Sequence, residues 1–128
     1  MSRFGTIVWN ELMTSDLEAA KAYYGAVLGW TFAEQPNPEG PYTLAFVAGQ
    51  DKPIAGLFPW PKGMPGADTW GAYVAVADCD AAVAKVSAAG GSVCRAPWDI
   101  AGVGRIAIVA DRTGAVIGFL QPATGPGR

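Results

Sequence analysis

The chain has 128 residues, 51% of them hydrophobic and 16% charged, with a formal net charge of −2. That is the composition of a globular chain long enough to bury a core, and it excludes a disordered one. No basic excess marks a nucleic-acid partner, no apolar run approaches the roughly 18 residues of a membrane span, and there is no histidine, the commonest general base and transition-metal ligand.

The N-terminus enters a strand pattern without an apolar leader, so the expected location is cytoplasmic. A strand is predicted over residues 7–13, with Trp9, Glu11 and Met13 on one face and Val8 and Leu12 on the other. Ser15-Asp16-Leu17-Glu18 reads as a capping box, in which Ser15 accepts from the amide of Glu18 and Glu18 reaches back to that of Ser15. Leu17, Ala20, Tyr24, Val27 and Leu28 then share a helical face, and Gly29 ends the helix. Strands follow near 30–34, 42–48 and 53–60, with turns at 37–40 and 49–52.

Residues 61–69 link this half to a second one. There, 72–77 is a strand and Asp78 a helix cap. Cys79, Ala82, Val83, Val86 and Ala89 form the helical stripe, and Gly90-Gly91 the stop. Strands near 92–96, 104–110 and 115–120 complete the half, with a turn at 111–114. Residues 123–128 are expected to form a flexible tail. Cys79 and Cys94, with no C-x-x-C between them, are expected to be buried small hydrophobes.

The halves resemble one another at a spacing of 62 residues: Asp16, Ala19, Ala20, Ala22, Ala26 and Gly29 recur as Asp78, Ala81, Ala82, Ala84, Ala88 and Gly91, and Gly56 recurs as Gly118. Repeats of this kind report a repeated supersecondary unit. The expectation is an α+β fold of two βαβββ modules, 5–60 and 70–122, in one domain spanning 1–128. Each helix covers one face of its sheet, and two such sheets facing one another enclose a cleft.

Three stretches carry a family resemblance: T-S-D-L-E-A-A-K-A-Y-Y-G-A-V-L-G-W (14–30), V-A-D-C-D-A-A-V-A-K-V-S-A-A-G-G-S-V (76–93) and G-R-I-A-I-V-A-D-R-T-G-A (104–115). With them the chain resembles the vicinal oxygen chelate superfamily, which includes glyoxalase I, bleomycin-resistance proteins and extradiol dioxygenases. Arg112 stands where members usually have proline. Metal-dependent members carry His, Glu or Gln ligands on the first and last strands of each module. Here the resemblance puts those positions at Trp9, Gly56, Gly71 and Gly118, none of which offers a side-chain acceptor to a cation. It thus implies no metal and no cofactor, and three glycines and a tryptophan are expected to leave an apolar, roomy cleft with a large ring on one wall.

Glu11 shares the face of the first ligand position. It is the candidate polar anchor or general base, or else a structural acid paired with Arg105 or Tyr73. Tyr73 either donates its hydroxyl to a ligand or packs, and Arg105 either clamps an anionic group or is solvated. Ile54 and Phe58 flank Gly56, and Val116 and Leu120 flank Gly118, as expected apolar walls. Trp30 is expected in the core. Trp60, Trp70 and Trp98 lie at strand ends or in loops, where rings either stack on flat ligands or anchor a dimer.

The resulting expectation is a metal-independent, sequestering protein for a small apolar or aromatic molecule, acting as a homodimer without nucleic acid or membrane. Its ligand-binding set is Trp9, Glu11, Met13, Gly56, Phe58, Trp60, Gly71, Tyr73, Arg105 and Gly118. One alternative is a cofactor-free lyase or isomerase that uses Glu11 as base, with Tyr73 or Arg105 stabilising a developing anion. Another is a protein-interaction module built on the exposed tryptophans.

Overall fold

The computed structural model describes residues 3–36, 42–59, 68–100 and 102–123. Two helices and eight strands follow one another as β1 (Ile7–Thr14), α1 (Leu17–Leu28), β2 (Thr31–Gln35), β3 (Tyr42–Phe46), β4 (Ala55–Pro59), β5 (Thr69–Ala75), α2 (Cys79–Ala84), β6 (Ser92–Ile100), β7 (Gly104–Ala110) and β8 (Val116–Pro122). This is the expected α+β fold, with the βαβββ order occurring twice. The turn at 37–40, Trp60, most of the linker and the tail from 124 onward lie outside the described residues.

Contacts divide the chain into two compact units, Trp9–Gly71 and Met1–Val8 with Ala72–Arg128. Residues 5 and 6 join the second unit because they hydrogen-bond to the end of β5. The Gly5 amide donates to the Ala75 carbonyl at 2.7 Å, and the Ala75 amide to the Thr6 carbonyl at 2.9 Å.

Within the first unit the strands lie in the order β2-β3-β4-β1, and within the second β6-β7-β8-β5. In each, the first and last strands of the module pair in parallel and the other neighbours pair antiparallel. The registers repeat as well: Glu11 pairs with Gly56 and Tyr73 with Gly118, so both partners are 62 residues apart.

Local chemistry explains the helix ends. Asp16, not Ser15, caps α1: its carboxylate accepts from the Ala19 amide at 3.0 Å. The expected Ser15–Glu18 box is replaced because Ser15 is held elsewhere, its amide and hydroxyl both donating to Asp68 Oδ2 at 3.0 Å. The Thr14 hydroxyl joins them at 3.1 Å, while accepting from the Asp16 amide. Gly29, at φ 72°, ends the helix in the left-handed conformation that side chains resist. In the second module Asp78 caps α2 as expected, accepting from the Ala81 amide at 3.0 Å. That helix is shorter than its stripe. The Lys85 and Val86 amides turn to carbonyls three residues back, which tightens the chain before Gly90 (φ 95°).

One face of the first sheet packs on α1. Leu12, Ala45, Ala55 and Leu57 form the core, with Leu17, Ala20, Tyr24, Trp30 and Phe32 against them. Full burial of Leu57 contributes about 1.5–3 kcal/mol. Trp30 is therefore at the core as expected, stacked on Tyr24 at a centroid separation of 5.4 Å. Cys79 is fully buried, but Cys94 is exposed, contrary to expectation, because it sits on β6, the edge strand of its unit.

Candidate functional site

Alternation along β1 sends Leu12 to the helix side and Glu11 to the other face. Glu11 is only 5% exposed, so its carboxylate needs polar company. That company includes Tyr42, on β3, whose hydroxyl donates to Glu11 Oε2 at 2.6 Å. The same hydroxyl accepts from the Trp9 indole N–H at 3.0 Å. The three side chains thus form one directed chain, Trp9 to Tyr42 to Glu11. Burial, and then the neighbouring carboxylate, hold the Tyr42 phenol far above the usual tyrosine range, so it remains a donor.

Tyr42 and β1 lie on opposite sides of β4, and the phenol bridges that strand by passing over Gly56. A Cβ at Gly56 would stand 1.7 Å from the Tyr42 oxygen and 2.3 Å from Cζ. Glycine is required here by close approach rather than by backbone angle. The space expected to be open at this position is occupied by tyrosine. Phe58 lies beside Tyr42 at a centroid separation of 6.2 Å, and Met13 is buried. Tyr42 is the candidate-site residue that sequence reasoning missed, a partner of Glu11 that was not among the expected Arg105 and Tyr73.

The second unit presents a comparable face. Cross-strand pairing gives the row Tyr73, Gly118, Ile108 and Arg95, and beside it Ala75, Leu120, Ile106 and Trp98. Tyr73 is buried, and its ring covers Gly118 so closely that a Cβ there would lie 2.3 Å from both Cδ2 and Cε2. The room expected at Gly118 is again filled by a ring. At Gly71 a Cβ would meet only the Glu11 carbonyl, at an ordinary 3.9 Å.

Arg105 belongs to the other face. It pairs with Gln121 and Asp99, and it reaches α2 through Asp80. Its Nε and Nη2 donate to the two oxygens of Asp80 at 2.8 and 3.1 Å, and its Nη1 to Asp99 at 3.2 Å. These hydrogen bonds hold the guanidinium above, and the Asp80 carboxyl below, their ordinary ranges. The expected anion clamp is therefore a structural ion-pair network on the helix side of the sheet. Gln121, beside it, accepts from the Cys79 amide at 2.8 Å. Burial, ahead of the carboxylate of Asp80, raises the Cys79 thiol above its usual range, which makes it less reactive.

Of the expected walls, Phe58 and Leu120 are half-buried, while Ile54 and Val116 are exposed. Trp70 is 38% exposed and donates its indole N–H to the Tyr24 hydroxyl at 3.0 Å. Trp98 lies within β6 rather than at a strand end, with the Arg95 guanidinium 3.5 Å above its ring. Trp60 lies outside the described residues. The residues at the four positions where the resemblance puts metal ligands do not fit a metal: Trp9 has a donor and no acceptor, and the three glycines have no side chain.

These observations define a class: a protein with the βαβββ order twice, in which tyrosine rings cover Gly56 and Gly118. The chain belongs to the Glyoxalase/Bleomycin resistance protein/Dioxygenase superfamily, whose family model matches residues 4–119. It is 42% identical over 120 residues to CFP32 of Mycobacterium tuberculosis, which carries the provisional name of a glyoxylase; the match covers 93% of this chain and 45% of that protein. It is 33% identical over 132 residues to the anthracycline biosynthesis protein DnrV of Streptomyces peucetius, covering 90% of this chain and 47% of the other. The chain thus spans about half the length of these relatives. Among solved structures, a methylmalonyl-CoA epimerase from Mycobacterium tuberculosis superposes with a TM-score of 0.60 at 20% identity, over 96% of this chain and 91% of the epimerase. A methylmalonyl-CoA epimerase bound to methylmalonyl-CoA and NH4+ superposes with a TM-score of 0.63 at 18% identity, over 94% and 96%. At these identities the likeness is one of fold.

Proposed function

We propose that this protein binds a small apolar or aromatic molecule without a metal, using the sheet face that carries Trp9, Met13, Tyr42 and Phe58, with the Glu11–Tyr42 pair as its fixed polar point. The observation that supports this most is the tyrosine over Gly56: its hydroxyl lies where a Cβ would stand and is hydrogen-bonded to both Trp9 and Glu11. Binding by such a face rests on shape and stacking. The name of the anthracycline biosynthesis relative fits a flat, polycyclic partner. A homodimer in the cytoplasm belongs to the same reading; among the described residues no helix is long and apolar enough to cross a membrane.

Native mass spectrometry of protein purified from its own host tests the proposal. The expected result is a co-purified organic molecule. A stoichiometric transition metal in elemental analysis of the same sample overturns the metal-free reading.

The burial of Glu11 favours one second reading, a cofactor-free lyase or isomerase in which this carboxylate accepts a proton from the substrate. The names of the glyoxylase relative and of the epimerases point the same way. Glu11→Gln separates the two: an enzyme loses turnover and keeps ligand affinity, whereas a binder has no turnover to lose.

A further inference from the structure

The helix side of the first module carries a cavity that the binding face proposed above does not use. It measures about 270 Å³ and lies between the end of β1 and the first half of α1. Leu12, Ala19 and Ala20 supply its apolar lining, and Tyr23 and Tyr24 its rings. The rings are held by their neighbours. Tyr24 stacks on Trp30 and meets Trp70 nearly at right angles, at a centroid separation of 5.6 Å, while its hydroxyl accepts from the Trp70 indole N–H. Tyr23 meets Tyr24 at right angles, 4.9 Å between centroids, yet is itself 60% exposed. A positioned aromatic ring thus stands at the cavity with much of its surface in water.

The charged groups at the cavity are of one sign. Its lining includes the carboxylates of Asp16 and Asp68, and among the described residues no cationic side chain. Lys21, on the same helix, is paired with Glu18. Asp68 is occupied in holding Thr14 and Ser15. Asp16 accepts through Oδ1 alone, from the Ala19 amide, so its Oδ2 remains an acceptor among the described residues. The start of α1 opposes this with about half a positive charge, and the full negative charge of Asp16 outweighs it. An acceptor oxygen beside an aromatic ring suits a cation that carries N–H donors.

The repeat separates the cap from the cavity. Asp16, Ala19 and Ala20 recur as Asp78, Ala81 and Ala82, but Lys85 and Val86 stand where the first module has Tyr23 and Tyr24. The capping carboxylate belongs to both helix starts, whereas the rings belong to the first alone. From this geometry we infer that the cavity binds a small organic cation, an ammonium group on an apolar or aromatic body. Asp16 Oδ2 accepts from the ammonium, the Tyr23 ring lies against the charge, and the apolar lining receives the body. The Glu11–Tyr42 pair is on the opposite face of the sheet, and this site does not depend on binding there.

The test is an amide-resolved NMR titration of the whole chain with phenethylammonium and with the neutral 2-phenylethanol. The wild type is expected to bind the cation about fivefold more tightly than the alcohol or better, with shifts at Ala19, Ala20 and Tyr23. Asp16→Asn keeps the helix cap, since asparagine caps as well as aspartate, and is expected to erase the preference. Tyr23→Leu should weaken cation binding about twofold to fivefold, and Tyr23→Phe should retain it, which keeps the test informative if the cap variant folds poorly. Asp78→Asn, the same change at the second helix, should leave both affinities within about twofold of wild type. Equal affinity for cation and alcohol, a preference that survives Asp16→Asn, or shifts confined to the Trp9 indole and its neighbours on the other face overturns the cation site. None of these results bears against binding at the sheet face.

Discussion

Gly56 and Gly118 hold repeat-related places, and a tyrosine covers each, yet the two tyrosines arrive by different routes. Tyr73 sits on β5, directly opposite Gly118, and lays the base of its ring on the glycine. Tyr42 comes from β3, on the far side of β4, and only its phenol tip lies over Gly56. The first arrangement sets ring carbons against the glycine. The second ends in a hydrogen-bonded chain with Trp9 and Glu11. A duplicated backbone thus presents two chemically different faces, because the residue paired with the glycine is a carboxylate in one module and a phenol in the other. The carboxylate needs a donor when buried, and Tyr42 supplies it.

The strongest way to break this comparison is Tyr42→Phe. It removes one donor from a buried carboxylate and the acceptor from the Trp9 indole. The expected loss is about 1.5–3 kcal/mol, the range for hydrogen bonds to charged groups. Urea denaturation measures it, and a change below about 0.5 kcal/mol would mean that Glu11 does not depend on this phenol.

Gly118→Ala probes the other face. The new methyl group would strike ring atoms close to the Tyr73 backbone, which have little freedom to retreat. Overpacking of that kind costs about 1–3 kcal/mol. A double-mutant cycle with Tyr73→Ala should show a coupling of about 0.5–3 kcal/mol, and additivity would show that the ring is not what excludes the methyl. Gly56→Ala should behave differently, since the obstructing group is a side-chain tip. Its sign is a broken chain: faster hydrogen exchange at the Trp9 indole, with a smaller stability loss than at Gly118.

Much of this was legible in the chain because the signals are local. Asp78 and Gly29 act within one turn of their own helices, and β1 alternates as expected. The repeat spacing anticipated that Gly56 and Gly118 hold equivalent places, though not which residues pair with them. Tyr42 could not be found that way. Its role depends on lying beyond β4 from Glu11 in a register that no local pattern encodes. Arg95 changes face through the register shift that precedes it in β6, which a count of alternation does not reveal. Arg105 was misassigned for a related reason: the position of a residue at a strand start says nothing about the acids, Asp80 and Asp99, that the fold brings to it. Ser15 is drawn out of its expected box by Asp68, 53 residues away, and Asp16 caps the helix instead. In each case the deciding partner came from another element.

The helix caps sharpen the comparison at a smaller scale. Asp16→Ala and Asp78→Ala each remove one cap, at an expected cost of about 0.5–2 kcal/mol. The loss should be larger at Asp78. The start of α1 is also tied through Thr14 and Ser15 to Asp68, and that helix ends on a left-handed glycine, whereas α2 has six residues and depends more on its cap. Equal losses, measured by thermal unfolding, would mean that the Asp68 tie contributes nothing.

The smallest effect is expected where the modules turn their last hairpins. The first uses Gly49, at φ 83°, with the Gln50 amide donating to the Val47 carbonyl. At the corresponding place, 62 residues on, the second has Asp111, whose Oδ1 accepts from the Thr113 amide and hydroxyl at 2.8 and 2.7 Å and from the Ala115 amide at 3.1 Å. Those hydrogen bonds, the Thr113 hydroxyl first, hold its carboxyl below the ordinary aspartate range. A carboxyl whose folded value is depressed contributes stability that is present above its unfolded value and is lost as pH falls through the folded one. The side chain is exposed, so the contribution is small and weakened by salt. Asp111→Asn should therefore lower the melting temperature slightly at neutral pH and converge with the wild type in acid below the aspartate range. If the two melting curves stay parallel across that range, the ionised form of Asp111 is not what holds the turn, and the second hairpin, like the first, rests on its backbone alone.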